Sequence, residues 1–241
     1  MKRDERPLHA VPRATRAILL AALVAQMAWQ GLQPKPVASA AALTTPPSLA
    51  ALRVLSVGEP VVLALLMTLY LQAFDNQPGI SIPFRDLDYQ RVTQWLATIL
   101  SLDPAGQYPL LMAAQIYSQV PDQPRERLML EFVHRHFMGD PDHRWRWLAH
   151  AAIVAKHRLH DNALALGYAR DITHYATAAP NWARQMQIFI LEDIGEIESA
   201  RILLGGLLTS GEIRDERELH FLAQRLETMK NAEKSTSAPK K

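Results

Sequence analysis

WLAHAAIVAKHRLHDNALALGYARDITHY (Trp147–Tyr175) and WARQMQIFILEDIGEIESARILLGGLLTS (Trp182–Ser210) decide how this chain folds. Laid one on the other at an offset of 35 residues, they pair Trp147 with Trp182, Leu159 with Ile194 and Asp161 with Glu196. The same offset pairs Ala165 with Ala200 and Ile172 with Leu207. Each stretch holds two apolar runs with helical spacing. A break falls near the middle, at His160-Asp161 in the first and at Gly195-Glu196 in the second. An earlier copy fits less well, with Met112 against Trp147 and Leu130 against Ala165. Any two amphipathic helix pairs share some apolar positions. The matches therefore leave two architectures open, a repeating array and an irregular helical bundle.

Outward from this region the same grammar continues. Val92, Trp95, Leu96, Ile99 and Leu102 mark an amphipathic helix, ended by Asp103-Pro104 because the residue before proline avoids helical geometry. Helical runs are expected over about 107–120, 124–138, 144–159, 161–176, 180–194, 197–208 and 214–230. Upstream, Pro60 suits a first helical turn. The run after it, Val61–Phe74, is apolar nearly all round but too short to cross a bilayer, which predicts a buried core helix. Residues 75–85, DNQPGISIPFR, read as a loop. No stretch alternates with a period of two, so no sheet is expected. The fold class is all-α, built from antiparallel helix pairs.

A helix–turn–helix unit of this length resembles the tetratricopeptide repeat. Trp147, Ala151, Ala152 and Ala165 carry the likeness in one unit, and Trp182 and Ala200 in the next. Asp103-Pro104 and Asp140-Pro141 look like the ends of earlier units, so the likeness spans about residues 85–210. The resemblance implies a partner-binding scaffold with a concave face and no catalysis. It also implies that Trp147 and Trp182 are equivalent buried residues, with Ala165 and Ala200 at the close crossing of each helix pair.

The chain has 241 residues and no cysteine, which removes thiol nucleophiles, disulfides and Cys-ligated metal. Its formal charge of +2 does not suggest nucleic-acid binding. The first 16 residues hold five cationic and two acidic side chains, a balance of +3, and the remaining 225 balance at −1. An apolar run, Ala17–Leu32, follows this leader, and then come Pro34, Pro36 and Ala38-Ser39-Ala40. The order of basic, apolar and small residues is that of an export signal. It predicts either a single-pass anchor in the inner membrane or a signal cleaved near Ala40. A buried or interfacial helix is the third option. In both membrane readings the amino terminus stays in the cytoplasm and the bulk is periplasmic. The expected organisation is a leader (1–16), an anchor or signal helix (17–32), a Pro/Ala-rich linker (33–57), a helical-repeat domain (58–230) and a disordered tail (231–241).

Candidate chemistry is sparse. Glu131 and His134 have the spacing of a carboxylate–histidine metal pair but no second copy faces them. His150, His157, His160 and Asp161 could share one side of a helix, and a surface or capping role is the commoner fate of such residues. Neither set amounts to a metal site, and no cofactor or small-molecule substrate is expected. Gly205-Gly206 reads as a close helix–helix contact. Two segments suit protein recognition. Arg144, Trp145 and Arg146 cluster at a helix start, with the residue types enriched at binding hot spots. Ile80, Ile82 and Phe84 place apolar side chains in the loop. The expected function is a membrane-tethered periplasmic scaffold that binds a protein partner. The alternative is an envelope enzyme acting on cell-wall or polysaccharide substrate through carboxylates such as Glu59, Asp75, Asp86 or Asp88.

Overall fold

The computed structural model describes residues 12–33 and 40–237, with side chains to residue 231. It is 73% helical, and its strand is confined to a two-stranded hairpin (β1, Asn76–Gln77; β2, Ile80–Ser81), so the fold is all-α. Contacts divide the chain into two units, residues 1–40 with 77–81, and residues 41–76 with 82–241. In the first, α1 (Arg13–Leu32) buries no residue. No single described helix is long and apolar enough to cross a membrane. The leader before Pro12, the prolines at 34 and 36 and the Ala38-Ser39 part of the cleavage motif lie outside the described residues.

The second unit begins inside the stretch expected to be linker. Leu43 is buried, and the Thr44 carbonyl accepts a hydrogen bond from Trp95 Nε1 at 2.8 Å. Ser48 then caps α2 (Leu49–Leu55), its Oγ accepting from the Ala51 amide. A proline-rich segment with one well-placed leucine thus docks on the helices instead of spacing them. After α3 (Pro60–Ala73) and the hairpin, Asp88 accepts from the amides of Gln90 and Arg91 to start α4 (Tyr89–Leu102).

The run expected as one helix over 107–120 is irregular. It forms α5 (Tyr108–Leu111), a π turn (Met112–Ile116) and a 3-10 turn (Tyr117–Gln119). Side chains compete with the backbone there: Ser118 Oγ donates to the Ala114 carbonyl at 2.5 Å and Tyr89 OH to the Tyr117 carbonyl at 3.0 Å. Then come α6 (Gln123–Phe137), α7 (Pro141–His157) and α8 (Asn162–Tyr175). The run expected over 180–194 splits at Gln185 into α9 (Asn181–Arg184) and α10 (Met186–Asp193). The cause is again side-chain competition. Thr173 Oγ1 donates to the Arg184 carbonyl at 2.7 Å, and the buried Gln185 amide donates to Glu218 at 2.6 Å. Finally α11 (Ile197–Thr209) leads to α12 (Glu216–Ser237). α12 runs seven residues past the expected start of the disordered tail. No Pro or Gly interrupts it, and Ala, Glu and Lys favour helix. Residues 238–241 lie outside the described residues.

Successive helices are spatial neighbours: α6 on α7, α7 on α8, α8 on α10, α10 on α11 and α11 on α12. Polar ties between them recur at similar sequence separations. Arg127 meets Asp161 at 34 residues, Thr177 meets Asp142 at 35, Arg225 meets Glu192 at 33, and Trp147 meets Gln107 at 40. Lys156 and Asp193 pair at 37. The two mid-unit turns match as well. His160 (φ 53°) and Gly195 (φ 85°), 35 residues apart, both adopt the left-handed geometry that ends a helix. Ala165 and Ala200 are both fully buried. The tryptophans differ from expectation. Trp147 is half-buried, whereas Trp182, on the four-residue α9, is 54% exposed. The main core runs from Leu43 to Ile190. A second, smaller one gathers Ile188, Leu191, Ala200, Leu204, Ile213, Leu222 and Met229.

Candidate functional site

One concavity in the second unit is a groove between the end of α8, α9–α10 and α11, with a volume of about 450 Å³. Ile188, Ile202, Leu203 and Leu207 give it an apolar lining. Thr173, Asn181, Gln187 and Ser210 supply neutral polar groups around them. The charged rim is internally compensated, because Arg184 pairs with Glu212 at 3.0 Å. Asn181 and Gln185 also hold Glu218 of α12, at 3.2 and 2.6 Å, which fixes α12 against α9. Gly206 lines the groove, and a methyl group added to it would meet nothing within 4 Å. Gly205 is equally open. The glycine pair expected at a close helix contact instead leaves room.

The sequence-derived recognition residues are not gathered in this groove. Arg144 is only 6% exposed. Its guanidinium donates to the carbonyls of His136 at 2.6 Å and Pro104 at 2.5 Å, clamping the end of α6 to the turn after α4. The C-terminal end of a helix carries partial negative charge, so a cation suits that position. Trp145 is half-buried and packs edge-on against Trp182, ring centres 5.5 Å apart. The exposed Arg146 lies over the Trp145 ring at 5.7 Å. In the loop, Ile82 is buried, Ile80 half-buried, and Phe84 packs edge-on against Tyr117.

The carboxylates considered for acid–base work are dispersed. Asp88 caps α4, Asp86 sits beside Arg85 at 3.8 Å, Glu59 is exposed and Asp75 half-buried. Asp161 caps α8 through the Leu164 amide and pairs with Arg127 at 2.7 Å, and both contacts hold its carboxyl below the usual range. His134 meets Asp171 at 2.5 Å. Among the described residues no group of three or more potential ligands could hold a metal ion.

Two histidines carry a pH consequence. Burial pushes His136 below its ordinary value, and Arg144 and Arg135 add to the effect. Burial also lowers His150, partly offset by its hydrogen bond with Ala114. A lowered folded pKa means the fold prefers the neutral ring. The stabilisation is present above the unfolded value of 6.5 and is lost as pH falls through it toward the folded value. Urea midpoints are therefore expected to decline between about pH 7 and pH 5, the window in which histidine titrates. A His136→Asn/His150→Asn variant should show a flatter profile, and an unchanged slope would remove these two residues as the cause.

The α3 helix also departs from expectation. It is not a buried core helix: one side is covered and the other is bare apolar surface. No protein-family model matches this chain, nor does any curated protein or solved structure.

Proposed function

We propose that this chain is a non-catalytic, membrane-associated helical-repeat scaffold that holds a protein partner by an extended apolar segment. The observation that carries the reading is the groove beneath Gly206. It combines an apolar lining, neutral amides and hydroxyls, and an arginine whose charge is already paired with Glu212. Such a lining suits an uncharged chain with backbone groups to satisfy, and it offers no acid–base pair to work on a bond. Polar ties that recur at separations of 33 to 40 residues support a tetratricopeptide-like array, in which each pair contacts its neighbours and the stack presents a groove. The charge balance of residues 1–16, ahead of the apolar run Ala17–Leu32, supports a cytoplasmic amino terminus with the helical unit in the periplasm.

Photocrosslinking from position 203 in intact cells tests the groove. A discrete protein adduct is expected. It should be lost in Gly206→Leu, whose side chain fills the groove, and retained in Gly205→Leu, which lies outside the groove lining. Both positions have open space, so both variants should fold. An adduct indifferent to Gly206→Leu, or no discrete adduct, defeats the reading.

A further inference from the structure

Six side chains of α3, Val61, Val62, Leu65, Leu66, Leu69 and Tyr70, are each 47% to 60% exposed. At helical spacing they form one continuous stripe over half the circumference of the helix. The other side, Ala64, Met67, Thr68 and Leu71, is buried. No Asp, Glu, Lys or Arg occurs from Pro60 to Phe74. Across the turn after α2 the chain bends by 112°, and Val54, Leu55 and Val57 extend the exposed apolar surface. A helix face open to water ordinarily carries polar groups, and the six exposed apolar side chains of α3, with the nearest charges in sequence at Arg53, Glu59 and Asp75, need a covering.

We infer that the α2–α3 face lies in the plane of a lipid bilayer, at the boundary between headgroups and acyl chains. Three observations choose lipid over protein. First, α3 has 14 residues, about 21 Å of helix, which is too short to cross but suited to lying in the interface. The bent pair α2 and α3 is nevertheless as apolar as a broken span or re-entrant loop. Second, α3 has no Asp, Glu, Lys or Arg between Pro60 and Phe74 to form the polar rim that surrounds a protein–protein interface. A membrane needs no such rim. Third, α1 of the same chain is a fully exposed apolar helix that begins with Arg13 and Arg16. Two lipid-seeking elements on one chain reinforce each other through effective concentration. In this last respect the inference rests on the membrane reading of α1.

The absence of cysteine permits single labels. Leu66→Cys, Leu23→Cys and His220→Cys, each in the full chain and carrying an environment-sensitive fluorophore, are mixed with phosphatidylglycerol/phosphatidylethanolamine vesicles. The labels at 66 and 23 should shift to the blue and be quenched by brominated lipid, and the one at 220 should not. A response at 66 alone supports the α3 inference and overturns the membrane reading of α1. A response at 23 alone does the reverse, and no response at either overturns both. Equal responses at 66 and 220 overturn the inference, as does a lipid-free shift at 66 that grows with protein concentration and tracks dimer formation. Leu65→Gln/Leu66→Gln/Leu69→Gln should weaken vesicle partitioning on the order of 100-fold, from the loss of the lipid-facing surface of three leucines. These positions are exposed, so helicity should be retained.

Discussion

Replacing Arg158 by alanine is expected to destabilise the fold by about 3–5 kcal/mol, because it strands a buried carboxylate. Glu126 is 3% exposed and accepts from Arg158 at 2.6 Å. The same guanidinium donates to the side chain of Gln119 at 2.7 Å and to its carbonyl at 3.0 Å. One arginine at the end of α7 thus closes the irregular segment after α5 and neutralises the first turn of α6. A charge left without its partner in a poorly hydrated site costs more than the pair itself contributed. The comparison with Arg158→Ala/Glu126→Gln is therefore decisive. The double variant keeps an amide in place of the charge and should recover part of the loss in urea denaturation. If single and double variants are equally unstable, the carboxylate is not the source. The packing of the arginine stem and its bond to the Gln119 carbonyl would then carry the effect.

The distinction between what a residue is and where it is placed also explains how far the sequence could be read. Helix starts rest on local chemistry. Asp88, Asp122, Asp161 and Asp215 each cap the helix that follows with their own carboxylates, although the sequence also offers Asp88 as a candidate acid–base group. Amphipathic helices such as α4 were legible because one periodic stripe faces the core. The π turn and the break at Gln185 were not, since both depend on side chains that arrive from other helices. Arg144 shows the same limit, as its two carbonyl partners are 8 and 40 residues away. The apolar composition of α3 predicted burial, but composition cannot say how many sides of a helix find neighbours. Gly206 was ambiguous in principle. A missing side chain serves a close contact and an open groove equally well, and the surroundings decide between them.

Leu204→Ala is expected to cost about 2–5 kcal/mol, the range for truncating a fully buried leucine, and where that loss appears separates an array from a bundle. Leu204 lies in the smaller core with Ile188, Leu191, Ala200, Ile213, Leu222 and Met229, all drawn from α10, α11, α12 and the turn between the last two. In a stack of pairs each unit draws stability from its own interior and from adjacent interfaces, and damage at one end stays there. Native-state hydrogen exchange should show amides of α10–α12 losing protection in the variant while those of α6 and α7 keep theirs. The α8–α10 interface should show an intermediate loss, because α8 packs directly on the damaged pair. In a single cooperative bundle the same cavity would lower every slowly exchanging amide by the same amount, since all would open through global unfolding. Equal loss in α7 and α11 would therefore reject the array, however well the turns at His160 and Gly195 match.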